Sequence, residues 1–440
     1  MLMGDLRKPD FQIFDDGAKI PDTVAASVVS ITIDERLDQA GVCTIELRDD
    51  QSRLSGDSHF KIGSELKVSL GYVGATKPLF EGEITGWKGA MPRLGPQRLT
   101  IVAHDKMHRM RRERKQKTFL SMKDSDIVSQ VAQAHGFSVD AKPTAVKHDY
   151  VIQANQSDAD FLLERAHASG SEMFIDGKKL TFRPPALDGA AVATFKRSES
   201  LKRFTVTISL AQQAPSVKIT SWSVKDKKPV TVSAKKGDEL SLMGSTKPGT
   251  DLATAITQDA RQLFLPMLAA EEADAFAKAR LTQAAMGLAT GEGEVQGNPD
   301  VRRGSVIEID GIGDYLSGNY YVSAAIHTLL PGHGYTTVFR VKKTALQKPP
   351  AAPAKPAPAQ QNPGPAAEPQ PGKVEFLVTN QFGDPVEGLE YVLTCPDGEK
   401  KTGTIPANGV VSEPNAKPGM YRLALKGVDP PVIKQEEKKP

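Results

Sequence analysis

The sequence predicts a mainly β protein with an α+β insertion, a proline-rich linker and a C-terminal β-sandwich. Short segments of alternating apolar and polar residues recur through the chain, two helix-length apolar patterns interrupt them, and prolines concentrate in one span. A chain of 440 residues has room for about three domains. The composition changes place the predicted boundaries at 1–103, 104–203, 204–345, 346–372, 373–428 and 429–440.

The first segment, 1–103, has the period-two pattern of half-buried strands. Turn residues separate the strands, and no helix-length pattern lies between them, so we expect a small barrel or sandwich. The five predicted strands are Val28–Asp34, Val42–Leu47, Leu66–Tyr72, Leu79–Gly86 and Leu99–Ala103.

The second segment, 104–203, combines helices with a hairpin. Met122–Gly136 has apolar residues at helical spacing, acidic residues in its first turn and a terminal glycine. Ser157–Gly170 begins with a capping pattern and also ends at a glycine. Met173–Phe182 is typical of a hairpin, so this segment is predicted to be α+β.

The third segment, 204–345, returns to strands around an Ala-rich helical stretch. That stretch, Thr250–Ala285, is interrupted by Pro266. Strands are predicted before it at Phe204–Ile208, Val217–Ile219 and Val230–Val232, and strands at Val306–Ile309, Gly318–Val322 and Val338–Val341 are expected to close this unit as sheet.

Nine of the 31 prolines lie between residues 349 and 371, and they mark a semi-rigid linker over 346–372. Beyond it, turn residues separate four strands over 373–428, which predicts a compact β-sandwich before a charged tail, 429–440. The four strands are Val374–Val378, Leu389–Leu393, Gly409–Val411 and Met420–Leu425.

Charge and composition exclude several classes of protein. The 56 basic and 53 acidic residues nearly balance, which argues against a nucleic-acid coat or a polybasic membrane binder. Cys43 and Cys395 are too few for a disulfide framework. With no long apolar run and no secretion signal, we expect a soluble protein, made in the cytoplasm, with no direct membrane span.

No catalytic, cofactor or metal site is predicted. The sequence lacks H-E-x-x-H, C-x-x-C, phosphate-loop and G-x-S-x-G patterns. His104 and His108 are four residues apart, but His104 follows a strand, so helical metal-ligand spacing does not apply. Glu81 and Glu83 alternate with apolar residues, which predicts that both face outward from a strand.

A basic run is the most prominent local feature. We interpret it as a protein-contact segment, although phosphate binding and a plain solvated surface are alternatives. The absence of interleaved aromatic residues weakens the nucleic-acid interpretation. The candidate contact residues are Lys106, Arg109, Arg111, Arg112, Arg114 and Lys115.

Five motifs, in this order and spacing, resemble the phage late control D proteins, the baseplate hubs related to the N-terminal part of VgrG spikes. The resemblance runs from about residue 10 to residue 343, with Met110 where the family commonly has leucine. The motifs are "F-x-G-x-I-T" at Phe80–Thr85, the strand exit at Ala103–Met107, helices at Asp126–Gly136 and Gln156–Gly170, and closing strands at Gly304–Ile309, Leu316–Val322, His327 and Gly334–Thr337.

The resemblance implies two small tudor-like β-barrels in each chain and a homotrimer with pseudo-six-fold symmetry. Such a ring would join a hexameric tail tube to a trimeric spike and contact other baseplate proteins, with nucleic acid only passing through its lumen. It further implies a structural protein rather than an enzyme. The protein would be made in a bacterial cytoplasm and assembled into a virion tail baseplate or a contractile injection particle.

The chain departs from VgrG where it enters the proline-rich spacer, because VgrG proteins continue into an OB-fold and a β-helical needle. The segment 373–428 resembles transthyretin-like or carboxypeptidase-regulatory-like modules in its "G-x-P-x-x-G" at Gly383–Gly388. Two alternatives stay open: a baseplate-associated peptidoglycan hydrolase, or a carrier that recruits a spike, effector or glycan through the sandwich.

Overall fold

The computed structural model describes residues 8–50, 59–224, 226–239, 242–243, 247–266, 268–346, 372–378, 385–416 and 420–426. The chain divides into two compact units, Met1–Pro353 and Ala354–Pro440. Strands greatly outnumber helices, which confirms the predicted mainly β class. No helix in the described ranges has both the length and the apolar character needed to span a bilayer.

The first group of strands contains the five predicted ones, preceded by a strand pair that the sequence pattern did not reveal. Their alternating residues enclose a core that includes Ile31, Ile45 and Leu66. A Cβ on Gly82 would lie 2.2 Å from the carbonyl oxygen of His104, so glycine allows the strands that contain these two residues to approach closely. The elements are β1 (Pro9–Asp15), β2 (Ala18–Lys19), α1 (Asp22–Ala25), β3 (Val28–Arg36), β4 (Val42–Arg48), β5 (Glu65–Tyr72), β6 (Ala75–Ala90) and β7 (Arg98–His104).

The next segment contains both predicted helices and the predicted hairpin. The hydroxyl of Ser157 accepts a hydrogen bond from the backbone N–H of Asp160 at 3.1 Å, and Gly170 ends the same helix in the left-handed conformation. The elements are α2 (Met107–Met110), β8 (Arg114–Lys123), α3 (Asp124–Ala134), β9 (Ser138–Ala141), β10 (Lys147–Ser157), α4 (Asp158–Ser169), β11 (Glu172–Asp176) and β12 (Lys179–Arg183).

The rest of the first unit adds a second group of strands and a separate small sheet. The strands of the second group pack around Phe195, Tyr320 and Phe339. The elements are β13 (Ala191–Lys196), β14 (Leu201–Ile208), β15 (Ser216–Ser223), β16 (Lys228–Lys235), β17 (Lys247–Pro248), α5 (Gly249–Ala253), β18 (Arg261–Phe264), α6 (Ala270–Ala285), β19 (Ala289–Gln296), β20 (Val306–Asp310), β21 (Gly318–Leu330), β22 (Gly334–Lys343) and β23 (Ala345–Leu346).

The structure corrects the helical prediction for Thr250–Ala285. Among the described residues of this stretch, only those of the short α5 and the longer α6 are helical, and β18 between them pairs in parallel with β15. Pro266 disfavours helix in the residue before it, and the preceding residues bond to β15 instead. The strands predicted at Val217–Ile219 and Val230–Val232 form this separate sheet, in the order β16-β15-β18, rather than joining the large sheet.

The two groups of strands are joined into one sheet by a single strand pair. The order runs β14-β19-β22-β21-β3-β4-β7-β6-β5-β1-β2, with β20 also paired to β21 and β13 to β20. Strands β21 and β3 are antiparallel, with His327 opposite Ile33 and Leu329 opposite Ile31. The pair connects residues almost three hundred positions apart, so the two strand groups form one continuous ladder.

His327 is fully buried at this junction. One ring nitrogen lies 2.9 Å from the hydroxyl of Tyr335 and 3.1 Å from that of Thr337, and the other lies 3.0 Å from the carbonyl oxygen of Val301. Burial lowers the pKa of His327 to about 4. The imidazole is therefore neutral at physiological pH and serves as an uncharged hydrogen-bonding group inside the sheet.

The described residues of the second unit form two small antiparallel sheets, one of two strands and one of three, with Leu393, Ile405 and Val411 buried. Turns follow Cys395 and Pro406, where turn residues separate predicted strands. The interior of the predicted linker, the turn residues Gly383–Asp384 and the tail 429–440 lie outside the described residues. The strands are β24 (Gly372–Leu377), β25 (Glu390–Thr394), β26 (Lys400–Thr404), β27 (Val410–Ala416) and β28 (Arg422–Leu425).

Acid should destabilise the fold through His327. The unfolded chain takes up this proton near pH 6.5 and the folded protein only near pH 4, so the free energy of unfolding falls as the pH decreases through this window. We expect this group to lower the free energy of unfolding by about 2 kcal/mol between about pH 7 and pH 5.

The free energy of unfolding of His327→Gln, measured with urea, should depend less steeply on pH than that of the wild type. His333→Gln, an exposed control in the β21–β22 turn, should retain the wild-type dependence, and an unchanged slope in His327→Gln would refute this assignment.

Candidate functional site

The predicted contact residues run from just before α2 to the beginning of β8. Arg109 lies in α2, Arg114 and Lys115 begin β8, Lys106 precedes α2, and Arg111 and Arg112 lie between the two elements. We refer to them as the basic segment. The segment follows directly after β7 and leads into the α+β region, so its side chains can reach carboxylates on both sides. Several of them do so, which makes part of the segment an internal contact.

Glu83, predicted to face outward, is instead buried under α2. Its carboxylate accepts a hydrogen bond from Arg109 Nε at 2.7 Å and lies 2.9 Å from the His108 ring. Burial alone would raise the pKa of Glu83, but the hydrogen bonds from Arg109 and His108 hold it below its usual value. Glu83 shares its face of β6 with Glu81, which is partly exposed as predicted, but His108 and Arg109 of α2 cover that face at Glu83 and bury it.

The next basic residues bind the beginning of α4. Lys115 Nζ lies 2.6 Å from the carboxylate of Asp158, which also lies 2.7 Å from the ring of His135. Arg111 lies 3.3 Å from Asp160. Burial would raise the pKa of Asp158, but His135 and Lys115 hold it below its ordinary value. Carboxylates at the start of a helix also interact favourably with the helix dipole, so these pairs fix α4 against β8.

The remaining members of the basic segment make no close ion pair with a carboxylate of the described residues. Lys106 Nζ lies 4.0 Å from Glu65, and Arg114 donates to the carbonyl oxygen of Asn155 at 2.7 Å. Arg112 is exposed and has no ion-pair partner within the described ranges. The basic segment thus divides into residues that pair with carboxylates of the fold and residues, Arg112 and Arg114, whose charge no carboxylate of the described residues neutralises.

A second charged cluster joins three parts of the first unit at the arginine pair before β20. Arg302 forms an ion pair with the buried Glu35 of β3 and lies 3.0 Å from Asp176 at the end of β11. Arg303 donates to the carbonyl oxygen of Ile175 and lies 3.2 Å from Asp176. The pair therefore connects the second strand group to the first group and to the α+β hairpin.

Asp105 completes this junction from the end of β7. Its carboxylate accepts hydrogen bonds from the backbone N–H of Gly41 at 2.6 Å and of Met107 at 3.0 Å, and Arg303 lies 4.0 Å away. Burial raises the pKa of Asp105 to about 6, against the lowering effect of Arg303. Asp105 thus fixes the loop before β4 and the start of α2 through the same side chain.

A third cluster connects the α+β region to α6. His148 lies 3.1 Å from Asp124 and 2.5 Å from Glu272, and Arg165 Nε donates to Asp124 at 2.6 Å. Burial would lower the pKa of His148, but the two carboxylates raise it to about 9. His148 is therefore a cation at neutral pH, and it links β10 to the first turn of α6.

The geometry of these clusters is that of structural ion pairs. His104 lies 2.7 Å from the hydroxyl of Thr85, whereas His108 is committed to Glu83, so the two histidines do not converge on a common point. Within the described ranges, no group of three or more His, Cys, Asp or Glu side chains is arranged to hold a metal ion. These clusters can hold the first strand group, the second strand group and the α+β region in fixed positions relative to one another.

A family model described as the Alg8 N-terminal domain matches residues 7–330, from just before β1 to the end of β21. The chain belongs to this family. The match includes β3 and β21, the two strands that join the sheet, whereas β22 of the same sheet follows the matched residues. No curated protein matches the chain.

Solved structures share the fold. A 43 kDa tail protein of prophage MuSo2 from Shewanella oneidensis superposes with a TM-score of 0.58 at 12% identity, covering 76% of this chain and 98% of its own. A tail protein from Neisseria meningitidis MC58 gives 0.56 at 12% identity, covering 76% and 96%. The E. coli c3393 protein, a component of the type VI secretion system similar in structure to T4 tail proteins gp27 and gp5, gives 0.51 at 13%, covering 95% and 99%. The hub-like fold implied by the sequence motifs is confirmed.

The sequence did not reveal the carboxylate partners in the Alg8 N-terminal domain region. Glu35, Glu83 and Asp158 are each separated from their basic partners by at least 23 residues. Of these three carboxylates, only Asp158 could have been singled out from the sequence, because acidic residues in the first turn of a predicted helix interact favourably with the helix dipole. The arginine pair at 302–303 carried no local pattern that distinguished it from exposed arginines.

Removing the Glu83 charge should loosen α2 from the sheet. Glu83→Gln loses two charge-assisted hydrogen bonds at a site where water is largely excluded, so we expect the free energy of unfolding to fall by about 2 kcal/mol. The matched control, Glu81→Gln on the same strand, should change it by less than about 0.5 kcal/mol because Glu81 is partly exposed. Equal effects of the two substitutions in urea unfolding would contradict the proposed role of Glu83.

Proposed function

We propose that this protein is a structural hub in the baseplate of a contractile tail or injection system. The observation that carries the proposal is the fold shared with two tail proteins and a type VI secretion component, which extends over nearly their whole lengths. Because the likeness is one of fold, the role in a tail is our inference from that likeness and from the ordered motifs of the sequence.

We further propose a homotrimer that forms a pseudo-six-fold ring. Each chain contributes two groups of strands with separate apolar cores, so three chains would present six similar β units. Such a ring suits a hexameric tube on one side and a trimeric spike on the other. The ion-pair clusters at Glu83, Asp158 and Arg302 support this proposal, because symmetry matching and force transmission both require rigid units.

The domain boundaries and the basic segment belong to the same proposal. We propose 1–103 and 204–345 as the two hub units, with 104–203 between them. We also propose that the exposed part of the basic segment contacts another protein of the particle. Of its six residues, Arg112 and Arg114 suit this role best, since Arg109, Arg111 and Lys115 pair with carboxylates of the chain itself.

The hub proposal is tested by coexpressing the full chain with the tube and spike proteins encoded beside it. Native mass spectrometry should find three copies of the chain, and electron microscopy of the complex should find a ring with six similar density units. A chain that stays monomeric at high concentration and binds neither tube nor spike would exclude the hub function. A zymogram with cell-wall substrate serves as a check on the alternative hydrolase, and it should show no clearing.

We propose that the second unit is an appended transthyretin-like module that recruits a spike, effector or glycan. Two observations support an accessory role: the chain divides into separate units at 353/354, and the two tail proteins reach nearly full coverage with 76% of this chain. Removal of residues 354–440 should leave the oligomeric state and tube binding unchanged while particles lose one component. Failure of the shortened chain to enter particles would instead make this module part of the assembly.

A further inference from the structure

A small cavity lies between α2, the end of α3 and the turn that joins β11 to β12. Its volume is about 220 Å³, and we call it the α2 cavity. Four of its six lining residues have basic side chains, and none of the described carboxylates lines it. Two of the four belong to the basic segment, for which phosphate binding was an open alternative. The lining residues are Lys106, Arg109, His135, Gly136, Phe137 and Lys178.

Hydrogen bonds outside the α2 cavity hold its walls in place. The backbone N–H of Met107 donates to Asp105 at 3.0 Å, which fixes the start of α2. The backbone N–H and the hydroxyl of Ser138 both donate to the carbonyl oxygen of Lys178, at 2.9 and 3.1 Å. The β11–β12 turn is therefore tied to the residue that follows Phe137 in the chain. Because the backbone positions are fixed before any ligand binds, less entropy is lost when one does.

The basic side chains of the α2 cavity keep hydrogen-bond donors that the fold does not use. Arg109 donates to Glu83 through Nε, and its two terminal amino groups donate to no other group among the described residues. Lys106 Nζ lies 4.0 Å from Glu65, beyond hydrogen-bond distance. Lys178 forms no ion pair in the described part of the chain. Three cationic side chains that line one cavity therefore have donors available.

The charges around the α2 cavity do not cancel. The acidic residues beside it are shared with basic residues outside it, since Lys67 Nζ lies 2.9 Å from Glu65 and Lys115 Nζ lies 2.6 Å from Asp158. Counting both groups, the five basic residues Lys67, Lys106, Arg109, Lys115 and Lys178 meet the four carboxylates of Glu65, Glu81, Glu83 and Asp158. One positive charge stays uncompensated, which is complementary to an anion.

We propose that the α2 cavity binds a tetrahedral oxyanion of the phosphate class. Arginine binds phosphate with two parallel N–H groups, and lysine binds it as a point charge. The donors come from separate elements, so an anion with oxygens in several directions suits them better than a planar carboxylate. Pockets for drug-sized ligands measure about 300–1,000 Å³, so this cavity suits a single phosphate group rather than a whole nucleotide. The bound anion would connect α2 to the β11–β12 turn.

The test is calorimetric titration of the full chain with inorganic phosphate. We expect saturable binding of phosphate and none of chloride at the same ionic strength, because a built site discriminates where general screening does not. Ring signals of labelled histidine locate the site. The His135 signal, assigned from its loss in His135→Gln, should shift as phosphate is added, whereas the signal of the exposed His333 should not.

Substitutions of the two lysines test which side chains hold the anion. Lys178→Gln should weaken phosphate binding about tenfold, the effect of losing one charge-assisted hydrogen bond, and Lys106→Gln with Lys178→Gln should abolish it. The matched control is Lys179→Gln, because Lys179 is the next residue but lies 2.7 Å from Asp140 and does not line the cavity. Phosphate should raise the Tm of the wild type and of this control, and not that of the double variant. Circular dichroism establishes that each variant is folded.

A phosphate group can be free or belong to a nucleic-acid backbone, and competition separates these sources. A short single-stranded DNA that displaces phosphate would assign the site to phosphodiesters, and one that does not would assign it to free phosphate; both results support an oxyanion site. The absence of saturable phosphate binding, equal binding by the double variant, or binding of acetate in preference to phosphate would each overturn the proposal. These measurements use the chain alone, so their outcome is independent of the hub function.

Discussion

The pairing of β3 with β21 is the constraint on which the rest of the first unit depends. It makes two strand groups, each with its own core, parts of one sheet, and it does so with residues almost three hundred positions apart in the chain. The entropy of closing so long a loop must be offset by contacts at the junction. His327 supplies part of these contacts as a neutral, fully hydrogen-bonded side chain, so the junction tolerates a polar group in its interior.

Ion pairs then fix the position of the α+β region relative to the joined sheet. Breaking a buried pair by removing one partner is costly, whereas replacing the whole pair by apolar residues can be neutral, so such pairs specify geometry more than they add stability. Arg302 illustrates this, because it binds Glu35 on one side and Asp176 on the other. An apolar residue could fill the space, but it would not select the orientation of the β11–β12 turn.

Much of this fold could be predicted from local pattern. Period-two alternation found the five central strands of the first group, and caps at Ser157 and Gly170 located α4. The local sequence pattern gave wrong predictions where a tertiary contact decided the structure. The residues of β18 form a strand because they pair with β15, and Glu83 is buried because α2 covers it. The candidate site shows the same limit. Its basic residues form a run that composition reveals, but their carboxylate partners come from distant elements that no local pattern connects.

Some basic residues pair with carboxylates of the fold and others do not. This division explains how a nearly neutral chain can still carry a positively charged surface region. Arg109 and Lys115 belong to a visible cluster in the sequence, yet carboxylates of the same chain neutralise them. Arg112 lies between them in sequence and lacks such a partner in the described part of the chain. The surface charge that another molecule meets is therefore set by which cations the fold leaves unpaired.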